Sequence, residues 1–298
     1  MATDETETGC NEKRAKNPSY PFEDSSLKKK ERLDIILLNR GLAKSRSKAQ
    51  ALILAGRVRV GSQIYDKVGQ QVAVDLPLEI VQGDEFVSRA GKKLKKALLE
   101  FPEEIVRIKD KKCLDVGCST GGFTDCLLKF GASHVTAIDV GYGQFDLGLK
   151  NDPRVNLIER TNFRYFHHKA EKEIFNVIVC DVSFISLRQL LKPFCYFSDS
   201  QTSWIFLIKP QFEAGRGKVG KNGVIKDIEV HLDVILSIQS EFKKSGWFMH
   251  ALTFSPVKGP KGNIEFLALF IPERNHMQPR ELLRDEIEKV VTESSELG

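Results

Sequence analysis

The chain has 298 residues, 41% of them hydrophobic and 29% charged, which is enough for one or two domains with packed cores. Its N-terminus is acidic and lacks an apolar core, and its longest apolar runs are too short to cross a bilayer, so neither a signal peptide nor a membrane-spanning segment is predicted. The six cysteines form no CxxC pair, so we expect buried free thiols in the reducing cytoplasm and no metal site.

The formal net charge of +5 is unevenly distributed along the chain. Residues 28–96 hold 16 Lys and Arg against 7 Asp and Glu, a net charge of +9, so the remainder carries −4. A basic module beside a less charged one indicates an anionic polymer as partner. The alternative is a basic face that is merely solvated.

The first third of the chain predicts a polar tail followed by a small basic domain. Residues 1–27 are polar, which indicates a disordered tail. In the segment 28–83, an apolar repeat predicts a short helix that ends at Gly41, Ser45 is placed to cap a second helix, and RVRV alternates like a strand. Residues 84–110 form a linker in which LKKALLEF predicts a helix.

After Lys112 the pattern changes to alternating strands and helices. Strand-like runs follow in the order CLDVG, VTAIDV, VNLIE, NVIVCDV, SWIFLIK, WFMHALTF and EFLALFI. Helical stretches separate most of them, but only a short loop separates the last two, which predicts an antiparallel hairpin at the sheet edge. We therefore predict an α/β fold over 111–273, a Rossmann-like methyltransferase sheet that ends in this hairpin. It is preceded by the small α+β domain and followed by a charged helical tail over 274–298.

A glycine-rich turn separates the first strand of this sheet from the following helix. The turn reads LDVGCSTGGFT, and a second acidic residue, Asp139, ends the next strand 24 residues after Asp115. Glycines let a ligand approach the backbone, and an acid at the second strand end binds ribose hydroxyls. Because Asp115 would repel a pyrophosphate, the pattern favours S-adenosylmethionine, with its ammonium and sulfonium charges, over a dinucleotide. A turn used only for packing is the remaining alternative.

Polar residues also occupy the ends of the other strands. Asn162, Asp181 and Lys209 follow strands, and Glu265 begins the last, antiparallel strand, so its position is at the same edge of the sheet. Asp181, Lys209 and Glu265 can therefore meet, the alternative for each being an isolated surface charge. A lysine oriented by carboxylates can take the proton of a ribose 2′-hydroxyl or hold the developing alkoxide, and a methyl transfer of this kind needs no metal.

Six motifs in order resemble those of the hemolysin A family of ribosomal RNA 2′-O-methyltransferases, whose catalytic domain is FtsJ-like. They are FVSRAGKKL, LDVGCSTGGFT, ERTNFRYF, CDVSFIS, LIKPQFEAGRGKVGKNGV and SPVKGPKGNIEFL. The resemblance implies a catalytic Lys-Asp-Lys-Glu set, which falls on Lys93, Asp181, Lys209 and Glu265. Lys92 is the alternative for the first lysine. The resemblance also implies an S-adenosylmethionine pocket formed by the turn and the strand ends: Asp115, Gly117, Cys118, Ser119, Thr120, Gly121, Gly122, Phe123, Asp139, Asn162 and Asp181.

The basic N-terminal segment resembles the small alpha-L RNA-binding domain of ribosome-associated proteins. The similar stretch reads RLDIILLNRGLAKSRSKAQALILAGRVRV. It implies that five basic residues contact RNA phosphates: Arg32, Arg46, Lys48, Arg57 and Arg59. Together the two resemblances predict a cytoplasmic enzyme that methylates ribose 2′-hydroxyls of cytidines, with ribosomal RNA or a ribosomal subunit as its partner.

Three other functions compete with this prediction. A small-molecule or protein methyltransferase would share the glycine turn but would not need the basic module. An RNA-binding ribosome assembly factor with weak or no methyl transfer would not need the four catalytic residues. A hemolysin-like toxin is the third alternative, and no signal, spanning helix or strong amphipathic helix supports it. Methylation of a base amino group is disfavoured, because no NPPY-type segment follows the fourth strand.

Overall fold

The computed structural model describes residues 29–54, 57–61, 63–81, 85–215, 217–220, 222–273 and 279–296. The tail predicted over 1–27 lies outside the described residues. Contacts between Cα atoms divide the chain into two compact units, Met1–Gly83 and Asp84–Gly298, and each is described by itself.

The first unit is a small α+β domain with its own apolar core. Its elements are β1 (Lys30–Arg32), α1 (Leu33–Asn39), α2 (Arg46–Leu54), β2 (Val58–Val60), β3 (Gln63–Tyr65), β4 (Gln71–Ala73) and β5 (Glu79–Ile80). Strand β1 pairs antiparallel with β4, and β2 lies between β3 and β5. The predicted helices and strand are confirmed, as is the cap, since Ser45 Oγ accepts a hydrogen bond of 3.2 Å from the Lys48 amide. Leu33, Ile53 and Val58 are among the fully buried residues between these elements.

The second unit contains the remaining strands and helices. These are α3 (Ala90–Glu100), β6 (Lys112–Val116), α4 (Gly122–Lys129), β7 (His134–Ile138), α5 (Leu147–Lys150), β8 (Val155–Ile158), α6 (Phe163–Phe166), β9 (Val177–Cys180), α7 (Leu191–Tyr196), β10 (Ser203–Ile208), α8 (Pro210–Glu213), α9 (Ile228–Lys243), β11 (Trp247–Phe254), β12 (Phe266–Pro272) and α10 (Arg284–Ser294). Short 3-10 helices occupy Leu187–Leu190 and Pro260–Gly262. All seven predicted strands are present.

The seven strands form one sheet in the order β11-β12-β10-β9-β6-β7-β8. Strands β6 to β10 run parallel, and β12 inserts antiparallel between β10 and β11, which confirms the predicted Rossmann-like sheet and its terminal hairpin. The strand order reverses between β6 and β9, because β7 and β8 lie on one side of β6 and β9 on the other. In open α/β sheets a ligand binds at this reversal, beyond the carboxyl ends of the strands.

Helices cover both faces of this sheet, so its strands are largely apolar. In β10, Trp204 and Phe206 belong to the core on one face, whereas Ile205 and Leu207 belong to the core on the other. The charged C-terminal segment contributes Ile287 of α10 to the first of these cores. In the described part of the chain, no helix is both long and apolar enough to span a membrane.

Four of the five cysteines that the structure describes are buried, and none is in a disulfide, as the sequence predicts. Burial raises the pKa of the Cys113 thiol to about 12, which keeps it protonated. The described residues contain no group of three or more His, Cys, Asp or Glu side chains arranged to hold a metal ion.

Candidate active site

The glycine turn after β6 is packed against the neighbouring strand end. Gly117 has φ of +82°, and a Cβ atom at this position would lie 2.7 Å from the carbonyl oxygen of Asp181. Ser119 also has a positive φ, of 49°, and its amide donates a hydrogen bond of 2.8 Å to Asp139 Oδ2. The turn thus contacts the ends of three strands, β6, β7 and β9.

Asp115 was predicted to line the donor pocket, but the structure places it below the ligand surface. It is the fourth residue of β6, so its side chain is completely buried beneath the turn. Its Oδ2 accepts a hydrogen bond of 2.7 Å from Thr124 Oγ1, but its buried Oδ1 has no partner among the described residues. Burial raises the pKa of Asp115 to about 7, the Thr124 bond opposes this shift, and the charge of Asp181 adds to it.

One cavity, of about 400 Å³, lies between the turn and the ends of β7 and β9. Five residues of the predicted donor set line it: Gly117, Ser119, Asp139, Asn162 and Asp181. Its other walls are largely apolar, with Ile138, Phe163 and Val182 among them. Asp139 Oδ1 accepts a bond of 2.6 Å from the Gly141 amide, and Asn162 caps α6 by accepting one from Arg164.

A second cavity, of about 340 Å³, adjoins the first. It is lined by Lys93 and Lys209, and by three members of the predicted donor set that are absent from the first cavity, Cys118, Thr120 and Phe123. The two cavities share four lining residues: Gly117, Ser119, Asp181 and Ser183. A group bound in one cavity is therefore separated from a group in the other only by this shared wall.

Gly121 and Gly122 line neither cavity, contrary to prediction, because both are packing positions. A Cβ atom on Gly121 would lie 2.6 Å from Leu149 Cδ1. A Cβ atom on Gly122 would lie 2.2 Å from Ser88 Oγ, so α4 can begin this close to the segment before α3 only with glycine there.

The four predicted catalytic residues form a continuous chain of ion pairs at the second cavity. Lys209 Nζ lies 2.5 Å from Asp181 Oδ1, and Lys93 Nζ lies 4.0 Å from Asp181 Oδ2 and 2.6 Å from Glu265 Oε2. All four side chains are at most 15% exposed. Lys209 also donates a hydrogen bond of 2.9 Å to Ser183.

Each member of this chain comes from a different part of the fold. Lys93 is on the buried face of α3, whereas the neighbouring Lys92 is not part of the ion-pair chain. Asp181 directly follows β9, and Lys209 lies between the end of β10 and the start of α8. Glu265 directly precedes β12, at the edge where the antiparallel direction of that strand was expected to put it.

Ser183 and Phe184 also lie at the site, although neither was predicted there from the sequence. Phe184 has φ of +64°, is 91% exposed, and its ring lies 5.0 Å from the ring of Phe212. An exposed aromatic side chain in this strained conformation is unusual and indicates a functional position. The available signal was the large apolar residue in CDVSFIS, directly after a strand end.

The five basic residues predicted to contact RNA divide into two groups in the first unit. Arg32 and Arg46 hold the buried carboxylate of Asp34, through bonds of 3.0 and 2.9 Å from their Nε atoms. The bond from Arg32 lowers the pKa of Asp34 well below its usual range. Outside this cluster, Lys48 and Arg57 are exposed, and Arg59 is half-buried.

Comparisons with known proteins agree with this geometry. Residues 86–270 match the FtsJ-like methyltransferase family, and residues 31–76 match the S4 domain. The 16S/23S rRNA (cytidine-2'-O)-methyltransferase TlyA of Mycobacterium tuberculosis is 37% identical over 88% of this chain and 97% of its own length. Hemolysin A of Brachyspira hyodysenteriae is 44% identical over 80% of this chain and 99% of its own. A solved structure named "Putative hemolysin from Streptococcus thermophilus" superposes with a TM-score of 0.65 at 34% identity, over 89% of this chain and 95% of that one.

Proposed function

The chain belongs to the hemolysin A family of methyltransferases with an FtsJ-like catalytic domain, and from this premise we propose its reaction. It transfers a methyl group from S-adenosylmethionine to the ribose 2′-hydroxyl of cytidines in ribosomal RNA. The observation that carries the proposal is the buried chain Lys209–Asp181–Lys93–Glu265 at the second cavity, with Asp181 in the wall that the two cavities share. The chemistry of each cavity supports it separately.

The larger cavity suits the methyl donor. Asp139, at the end of β7, is the residue to accept hydrogen bonds from ribose hydroxyls, and the apolar wall that includes Ile138 and Phe163 suits an adenine ring. The buried Asp115 keeps one unpartnered oxygen beneath the turn, and its ionised form would attract the ammonium group of the donor. When bound, the donor supplies a methyl group on a positively charged sulfur.

The smaller cavity suits the acceptor hydroxyl. An ammonium group has three donors, and Lys209 uses two of them on Asp181 and Ser183, which leaves one for the 2′-oxygen. In its neutral form the same lysine takes the hydroxyl proton, and Asp181 then stabilises the charged product form. Glu265 orients Lys93, which adds a second positive charge beside Asp181. Positioning the hydroxyl in line with the donor is the rest of the catalysis.

RNA is the substrate that the remaining features favour. The S4 domain presents the exposed Lys48 and Arg57, which suit phosphate contacts that position a strand without reading its sequence. The exposed ring of Phe184 at the catalytic rim suits stacking on a base that has left its helix.

The proposal is tested by incubating the protein and methyl-labelled donor with unmodified small and large ribosomal subunits. Mass spectrometry of digested nucleosides should find 2′-O-methylcytidine, and mapping of 2′-O-methyl sites should locate it in one or both subunits. Label on a nucleobase or on a ribosomal protein would assign a different reaction. Binding to the subunits without transfer would favour an assembly factor.

A further inference from the structure

A buried carboxylate next to the catalytic cluster has no role in the proposed reaction. Glu213, the last residue of α8, has a side chain that is only 2% exposed. It accepts hydrogen bonds of 2.6 Å from Ser186 Oγ, 2.7 Å from the Leu187 amide and 3.0 Å from Arg188 Nη1. Arg188 in turn donates a bond of 3.0 Å to Ser237 of α9.

These bonds connect the two chain segments that carry the catalytic pair. Helix α8 starts directly after Lys209, and the segment 181–188 starts at Asp181. At one end, Lys209 contacts Asp181 and Ser183. At the other end, Glu213 binds three consecutive residues of that segment. The two segments are therefore joined on both sides of Phe184, whose positive φ a free loop would not retain.

An open cavity of about 520 Å³ lies between the same two segments. Phe184 and Ser186 contribute to one wall, and Gln211 and Phe212 contribute to the other. The spacing of these walls depends on the bonds that Glu213 makes across them. Burial raises the pKa of Glu213, and its hydrogen bonds from Ser186 and the Leu187 amide, with the charge of Arg188, oppose this shift only in part.

We propose that Glu213 is a positioning residue that fixes the segment 183–187 against α8, and so holds Ser183 on Lys209 and Phe184 at the rim of the site. The inference rests on the proposed function, because that function gives Lys209 its part in the transfer. Glu213 itself touches neither the reacting groups nor the donor cavity. Its effect should therefore appear in turnover and in the order of this segment.

The experiment compares full-length Glu213→Ala and Glu213→Gln with a control, Asp199→Ala. Asp199 accepts hydrogen bonds from the Gln201 amide and from Thr202 Oγ1. It lies just before β10, at the opposite end of that strand from Lys209. Glu213→Ala should lower the single-turnover rate of methyl transfer by about 10- to 100-fold, the scale for a misplaced reacting group. Glu213→Gln keeps an acceptor for the Leu187 amide and should restore most of this rate. Because Ser183, Phe184 and Ile185 also line the donor cavity, the rates are compared at saturating donor. The rate of the control should be unchanged.

Hydrogen–deuterium exchange gives a readout that does not depend on activity. Amides of residues 182–188 should exchange faster in Glu213→Ala than in the wild type, with other peptides of the domain unchanged. Arg188→Leu keeps Glu213 but removes one of its donors, so the same amides should exchange faster, by a smaller amount. This variant replaces Glu213→Ala in the experiment if Glu213→Ala does not fold. Unchanged exchange in this segment would overturn the proposal.

A double mutant separates a positioning role from general damage. If Glu213 acts by placing Phe184 and its neighbours, then Glu213→Ala should cost less in a Phe184→Ala background than alone. Fully additive losses would contradict the proposal. A wild-type protein without methyl transfer would instead refute the proposed function, and the exchange result would still decide whether Glu213 holds the segment.

Discussion

Both units of the chain hold carboxylates among cationic side chains, but the cations are arginines in the first unit and lysines in the second. In the first unit, Asp34 is held by Arg32, Arg46 and Gln50. In the second, Asp181 and Glu265 are held by Lys93 and Lys209. Arginine is a planar fork that stays protonated in proteins, whereas a lysine can lose its proton when its surroundings favour the neutral form. The first cluster fixes structure, and under the proposed function the second also moves a proton.

The strongest test of this difference exchanges the cation at the catalytic site. Lys209→Arg keeps the positive charge beside Asp181 but removes the group that can become neutral, so methyl transfer should fall by about a hundredfold or more. Lys209→Ala should lose at least as much. Single-turnover rates on ribosomal RNA, with separate measurements of donor and RNA binding, check this. Near wild-type turnover in Lys209→Arg would make Lys209 an electrostatic clamp for phosphate.

The next test removes the carboxylate of the structural cluster. Asp34→Ala leaves two arginines that can turn towards water, so it should destabilise the first unit by about 1–3 kcal/mol, less than the loss of a fully buried pair. Because the folded-state pKa of Asp34 is lowered, its contribution is present above the unfolded value and is lost as the pH falls through the acidic range.

Unfolding of the two units can be followed separately for this test. Both tryptophans, Trp204 and Trp247, lie in the second unit, so fluorescence in urea reports that unit and should not change in Asp34→Ala. Hydrogen exchange of α1 and α2 reports the first unit and should accelerate. A variant with unchanged exchange in both helices would show that the Asp34 cluster contributes nothing to stability.

Asp115 sharpens the comparison because it is a buried carboxylate without a cation. Its pKa of about 7 in the folded state lies above the unfolded value near 3.9, so the folded protein binds the proton more tightly. Stability should therefore fall as the pH rises between these values, by about 1 kcal/mol per pH unit. Asp115→Asn should remove this slope while keeping an acceptor for Thr124. Urea unfolding of both proteins from pH 4 to 8 measures the difference, and parallel profiles would contradict it.

The smallest effect is expected from the reverse exchange in the first unit. Arg46→Lys keeps a cation near Asp34 but loses the fork geometry, while Arg32 and Gln50 still bind the same carboxylate. Stability should change by less than about 1 kcal/mol, and methyl transfer should be unaffected. An exchange between lysine and arginine should thus have little effect in the first cluster and a severe effect on methyl transfer in the second. A large loss of turnover in Arg46→Lys would remove this contrast.

The positions of the strand ends could be predicted well from the sequence, but the burial of individual side chains could not. Asp181, Lys209 and Glu265 follow or precede apolar runs, so their common edge was predictable from strand direction. Asp115 has the same local signature, yet β6 continues past it and buries it beneath the turn. The spacing of polar residues along a strand does not reveal which of them the following loop covers.

Contacts between distant segments were the other part that the sequence did not reveal. Nothing in the sequence shows that Asp34 binds both Arg32 and Arg46, and their contact with RNA phosphates stays a prediction. Nothing in the sequence marks Glu213 either, because its partners Ser186, Leu187 and Arg188 lie 25 to 27 residues before it. The choice between Lys92 and Lys93 also needed the helix itself, whose buried face carries Lys93.

The close contact between Gly117 and the Asp181 carbonyl has a consequence for genetics. Any side chain at Gly117 would displace the backbone of Asp181, so one substitution would disturb the donor cavity and the catalytic pair at the same time. Loss-of-function alleles at the glycine turn should therefore not separate into binding-deficient and turnover-deficient classes. Alleles at Lys209 should fall in the second class alone. A collection of inactive alleles would in this way map the wall that the two cavities share.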